Sequence, residues 1–183
     1  MHKIKNTLTI LMLFIACQPA SEPEPAVKFA EERAKINRTL NAWHRAAAQA
    51  NYKEYMNYLA PGATFVGTDV DEVWSKGQFA KFCKPHFKKG RTWDFETINR
   101  NLHLHDQGKV AWFNESLNTW MGVCRGSGTL LKQSDSAQWK IVQYVLSVTA
   151  PNENIGAVLE AKQQHDSLYL AERNFTRKSR SIK

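Results

Sequence analysis

Residues 109–149 read KVAWFNESLNTWMGVCRGSGTLLKQSDSAQWKIVQYVLSVT, three segments that alternate or run apolar between short turn signals. Lys109 to Trp120, Val123 to Lys132 and Gln138 to Thr149 each carry the period of two expected of strands with two distinct faces. Met121-Gly122 and Ser134-Asp135-Ser136 separate them. Immediately upstream, Thr92 to Leu104 has the same character and is closed by Asp106-Gln107-Gly108. The expectation is four antiparallel strands. Gly126 and Gly128 fall inside the third and predict a bend or a close approach rather than a flat ladder.

The first half of the chain has a different period. From Val27 to about Asn51, Phe29, Ile36, Leu40, Trp43, Ala47 and Ala50 recur at helical spacing. A second helix is expected from Tyr52 to Leu59, stopped by Pro61-Gly62, and a brief strand from Ala63 to Gly67. Asp69 to Cys83 reads as helical and broken at Lys76-Gly77, with Val73, Trp74, Phe79, Phe82 and Phe87 on its apolar side. A last helix, about Ile155 to Asn174, follows Pro151-Asn152. Helices first and strands after give an α+β order, and 183 residues suffice for one good core.

The net charge of +8 is concentrated in short runs. Lys81, Lys84, Lys88, Lys89 and Arg91 form one; Arg173, Arg177, Lys178, Arg180 and Lys183 form another. They read as a solvated helix end and a basic tail, because no interleaving of basic and aromatic residues makes a nucleic-acid platform. At the other end, Lys3 and Lys5 precede a short apolar run that stops well below the roughly 20 residues needed to span a bilayer. It ends in Leu13-Phe14-Ile15-Ala16-Cys17, which resembles a bacterial lipobox, with Phe14 where leucine is commoner. Residues 1–16 are therefore expected to be a signal peptide and Cys17 a lipid attachment site. Residues 17–26, rich in proline and glutamate, are the expected tether. The expected address is the bacterial cell envelope, on the periplasmic or outer face. Cys83 and Cys124 would then meet an oxidising compartment, yet two small buried thiols are favoured over a disulfide.

A set of short pieces in order carries a family likeness. Gly67-Thr68-Asp69, Glu72 with Trp74, Arg100, Ala111-Trp112-Phe113-x-Glu115, Arg125-Gly126-x-Gly128, Trp139-Lys140-Ile141 and Gln143-Tyr144-x-Leu146-Ser147 resemble the SnoaL-like branch of the nuclear transport factor 2 superfamily. The likeness spans residues 27–154 and leaves 155–183 as a C-terminal helix and basic tail. It implies a cone: a strongly curved antiparallel sheet packed on the N-terminal helices, with a pocket between them and often a homodimer through the open sheet face. The superfamily includes isomerases, dehydratases and polyketide cyclases beside members without known activity, so the fold alone assigns no reaction.

Ligand-binding candidates in such a pocket are Asp69, Glu72, Arg100, Glu115, Arg125, Gln143 and Tyr144, with Trp74 and Trp112 as apolar walls. Asp69, Glu115 and Tyr144 are the catalytic candidates, the acids as bases and Tyr144 as a donor. The alternative for each acid is an ion pair that joins two elements. A three-residue turn at Trp120 to Gly122 would bring Glu115 diagonal to Arg125; a two-residue turn would separate them to opposite faces. The three-residue turn and a Glu115–Arg125 pair are expected. Such pairing holds the carboxylate ionised and favours anchoring over catalysis. His103 and His105 share one strand side, but no third ligand stands near them in sequence, and neither a metal nor a cofactor is expected. The favoured reading is a domain that binds a small apolar or oxygen-rich molecule. The rivals are an acid–base enzyme of the isomerase, dehydratase or cyclase type, and an interaction module using the final helix and tail.

Overall fold

A computed structural model describes residues 25–90, 92–105, 108–134 and 138–175, with side chains from residue 29 onward. The leader, Cys17, the tether and the tail beyond residue 175 lie outside the described residues. In order, the elements are α1 (Pro25–Ala48), α2 (Tyr52–Asn57), β1 (Leu59–Val66), β2 (Val73–Ser75), α3 (Lys76–Lys88), β3 (Glu96–Leu104), β4 (Val110–Thr119), β5 (Gly122–Lys132), β6 (Trp139–Val148) and α4 (Ile155–Glu172). The class is α+β, as expected.

The expected four strands sit within one six-stranded sheet of order β2-β1-β6-β5-β4-β3. β3 to β6 form an antiparallel meander, while β1 runs parallel to β6 and pairs with β2. Three irregularities bend it: one between Thr97 and Asn99, one between Thr129 and Leu130, and one between Leu59 and Thr64. The last absorbs Pro61-Gly62, which therefore lie inside β1 rather than ending a helix. Both residues are exposed, and Ile141 N–H donates to Tyr58 O at 2.9 Å on the near side of the break.

Two expectations need correction. Asp69 to Ser75 is not helical. Gly67 N–H donates to Glu72 O at 2.8 Å and closes a turn, after which Val73, Trp74 and Ser75 pair with β1. The helix starts only at Lys76, where Ser75 and Gln78 form a reciprocal capping box. The second correction is the β4–β5 turn. Thr119 pairs with Gly122, so the turn has two central residues, Trp120 and Met121. Gly122 takes φ +84°, a left-handed conformation that costs glycine little. The Thr119 hydroxyl accepts from Met121 N–H at 3.0 Å and donates to Gly122 O at 2.8 Å, locking the corner. In this register Glu115 faces Gly126 across the ladder, and Arg125 faces Ser116 on the opposite, exposed side. No Glu115–Arg125 pair forms.

The core lies between the concave face of the sheet and the first three helices. Ile36, Leu40, Trp43, Ala46 and Ala47 of α1 meet Phe113 and Leu117 of β4, Leu130 of β5 and Ile141 of β6, all buried. Cys83 and Cys124 are buried free thiols. α4 buries none of its residues; Arg173 just beyond its end bonds to Asp71 at 3.0 Å in the β1–β2 turn.

Candidate functional site

A cavity of about 300 Å³ opens in the cone. Its deep part is aromatic because the inward positions of α1, α2, β1, α3 and β6 are rings. Trp43 stacks on Tyr55 at 5.1 Å and meets the Tyr144 ring edge-on at 4.7 Å. Phe65 stacks on Phe79 at 3.8 Å, and Trp74 stacks on Phe82 at 4.7 Å to complete one wall. Nearer the surface, Thr68, Glu72, His86, Trp120 and Met121 line the opening. The Trp43 indole N–H is the one buried side-chain donor or acceptor without a partner among the described residues, so this ring contributes packing and no hydrogen bond.

Behind the aromatic layer sits a charged cluster. Glu115 projects inward from β4, 1% exposed, and both of its carboxylate oxygens are occupied. Oε2 accepts from Arg100 Nε at 2.8 Å and lies 2.7 Å from its terminal Nη2. This is a two-point grip made possible because Arg100 is its cross-strand neighbour. Oε1 accepts from the Tyr144 hydroxyl at 3.2 Å and lies 2.8 Å from His44 Nε2. Arg100 also donates to Asn37 and Asn41 of α1 and to Thr97. Burial pushes the Glu115 carboxyl up, but the His44 hydrogen bond and charge, with those of Arg100, outweigh it and hold it below the ordinary carboxylate range. Burial, then the charge of Glu115, pushes the Tyr144 hydroxyl well above its usual value, so it stays a donor.

His44 is the consequential neighbour. It is 7% exposed and lines the cavity. An ionised Glu115 can only accept, so Nε2 carries a proton, and whenever the ring is neutral the lone pair is on Nδ1. Nδ1 has no hydrogen-bond partner among the described residues and is not among the sealed atoms. It is thus the ring nitrogen left for a ligand. Gly126 makes the cluster fit: a Cβ there would strike the Tyr144 hydroxyl and come within 3.0 Å of Glu115 Cγ and Oε1.

Of the residues singled out in the sequence, the structure brings Trp74 and Tyr144 to the cavity wall and puts Arg100 and Glu115 behind it. Four lie elsewhere. Asp69 is exposed, and its carboxylate accepts from Asp71 N–H at 3.1 Å. Arg125 and Gln143 are exposed on the strands. Trp112 stacks on its cross-strand neighbour His103 at 5.5 Å, and both are exposed on the outer sheet face. Asp69 falls in the β1–β2 turn; for the three strand residues, outward positions alternate with inward ones and the register assigns these to the outside. Glu72, also singled out, lies at the opening, whereas His44 and Trp43 were not singled out as site residues. For His44 the signal was its place four residues after Leu40, a titratable side chain on the apolar stripe of α1.

A second buried acid has a structural role. Glu32 of α1 accepts from the Trp139 indole at 2.7 Å and pairs with Lys35 at 2.9 Å and Lys132 at 3.0 Å. Burial raises its pKa, but these hydrogen bonds prevail and bring it to about 2.

Comparison with known proteins agrees with this architecture. Among solved structures, a protein of unknown function with the nuclear transport factor 2-like fold from Pseudomonas putida KT2440 superposes with a TM-score of 0.57 at 13% identity, covering 69% of this chain and 92% of that one. A proposed dehydratase of the same fold family from Streptomyces avermitilis gives 0.57 at 11%, covering 67% and 99%. A proposed scytalone dehydratase from Novosphingobium aromaticivorans DSM 12444 gives 0.57 at 12%, covering 68% and 89%. At such identities the likeness is one of fold. No curated protein matches the chain in sequence. The family model of the SnoaL-like domain matches residues 36–151, from the middle of α1 to just past β6, and the chain belongs to the SnoaL-like family.

Proposed function

We propose that the domain binds a flat, largely apolar small molecule in the cone cavity and transfers a proton to or from it through His44. One observation carries this reading: His44 is oriented by a buried, ionised carboxylate while its other ring nitrogen has no partner among the described residues. A positioned acid oriented behind a base is the usual arrangement for general acid–base chemistry. In this role His44 is the base, Tyr144 and Glu115 hold its orientation, and Arg100 keeps Glu115 ionised. Glu115 itself, with both oxygens engaged, is not the base. The dehydratase descriptions of two structural neighbours are in keeping with this class of reaction. The open cavity, which the tryptophans line without filling, speaks against a pure interaction module.

A generic carbon acid tests the reading without knowledge of the natural substrate. 5-Nitrobenzisoxazole is flat, neutral and bicyclic; a base that removes its ring C–H proton opens the N–O bond and releases a coloured cyanophenolate. The protein should speed this opening by about 10²-fold or more over equimolar imidazole. His44→Gln, whose amide can still donate to Glu115, should return it to background while the fold persists by circular dichroism. A rate that His44→Gln leaves unchanged contradicts the proposal.

The same proposal sets the domain at the bacterial envelope through a lipid on Cys17, and as a homodimer through the outer sheet face. Mass analysis of Cys17 in the native envelope fraction checks the first; an unmodified thiol would refute it.

A further inference from the structure

The cavity's charge pattern speaks to what kind of molecule it takes, given the binding reading above. Although the chain carries 25 lysines and arginines, the only formally charged side chain among the described cavity-lining residues, histidines aside, is Glu72. Arg100 is spent on Glu115 behind the wall, and Arg125 is on the outer face, so neither is offered to an acidic ligand.

Glu72 is held at the opening by its own loop. Its Oε2 accepts from Asp69 N–H at 3.2 Å, and its side chain folds over Gly67 so closely that a Cβ there would collide with the carboxylate. The same loop carries Asp69 and Asp71, only the second of which has a cationic partner among the described residues, Arg173. Beyond this acidic opening, the aromatic side chains of Trp43, Tyr55, Trp74, Trp93 and Tyr144 line the space. Ring faces are the negative ends of aromatic quadrupoles, and tryptophan is the strongest of them. An anion gains nothing here and loses its hydration; a neutral ring stacks; a cation attached to a ring stacks and also gains from the quadrupoles and Glu72.

We infer that the cavity selects planar organic cations, such as aromatic quaternary or protonated amines, with Glu72 as the specificity-determining residue at its opening. Anionic ligands are excluded.

Calorimetric titration of the full domain with three near-isosteres tests this: quinoline (neutral near pH 7), N-methylquinolinium and quinoline-4-carboxylate. N-methylquinolinium should bind about tenfold more tightly than quinoline, and the carboxylate more weakly than both. Glu72→Gln, which keeps an acceptor for Asp69 N–H, should shrink the cation-to-neutral affinity ratio by about threefold or more. Quinoline binding as well as the cation, or a ratio unmoved by Glu72→Gln, overturns this inference and leaves the binding reading intact. If none of the three binds, the binding reading falls as well.

Discussion

Glu115 shows how a single residue ties fold to chemistry. A carboxylate at 1% exposure is tolerated only because four donors from three elements reach it. Removing its charge leaves Arg100 buried beside a neutral group, so Glu115→Gln should cost about 3 kcal/mol in denaturant unfolding, and Arg100→Met in the same background should add little more. Gly126→Ala should disrupt the same cluster from beneath, lowering stability by about 2 kcal/mol and separating Tyr144 from Glu115. An unchanged midpoint for either would mean the cluster is slack. Glu32 gives a pH test. Its pKa falls from 4.5 to about 2 on folding, so the ionised form stabilises the fold above pH 4.5 and that stabilisation is lost as pH falls towards about 2. Glu32→Gln should therefore be less stable by about 1–3 kcal/mol at neutral pH, and the difference should vanish in acid. That Glu115 matters was visible in the sequence, whereas Glu32 drew no notice there. The partners of Glu115 were not visible, because its register hung on whether the β4–β5 corner held two central residues or three.

The elements were readable where the period was long and unbroken. α1 and the four strands β3 to β6 lie within a few residues of expectation, since ten-residue runs average over local exceptions. The three-residue β2 was not: Asp69 to Ser75 read as helix because Val73 and Trp74 were grouped with Phe79, Phe82 and Phe87 as one apolar side, and so short a strand shows no period of its own. The capping signature Ser75-x-x-Gln78 was the overlooked stop and start signal. Ser75→Ala should cost about 1 kcal/mol and, since β2 ends there, should loosen Trp74 at the cavity wall. Amide hydrogen exchange at the start of α3 reads this directly; protection equal to the wild type would show that the cap is dispensable.

At the scale of the molecule, the arched sheet and α1 share a division of labour between faces. The concave face buries the acid cluster and opens the aromatic cavity. The outer face keeps Trp112, Val123, Ile98 and Leu131 exposed among polar residues, the surface assigned above to a second copy. Sedimentation should then give a dimer that Trp112→Glu dissociates; a monomer at every concentration would contradict it. The central claim is that folding brings His44 and Glu115, 71 residues apart, into a dyad with Nδ1 free for a ligand. Nitrogen-15 NMR of the imidazole in neutral to mildly alkaline solution tests this most directly. The account predicts a pyrrole-like, protonated Nε2 and a pyridine-like Nδ1, both altered in Glu115→Gln. A proton on Nδ1, with Nε2 bare, would contradict it.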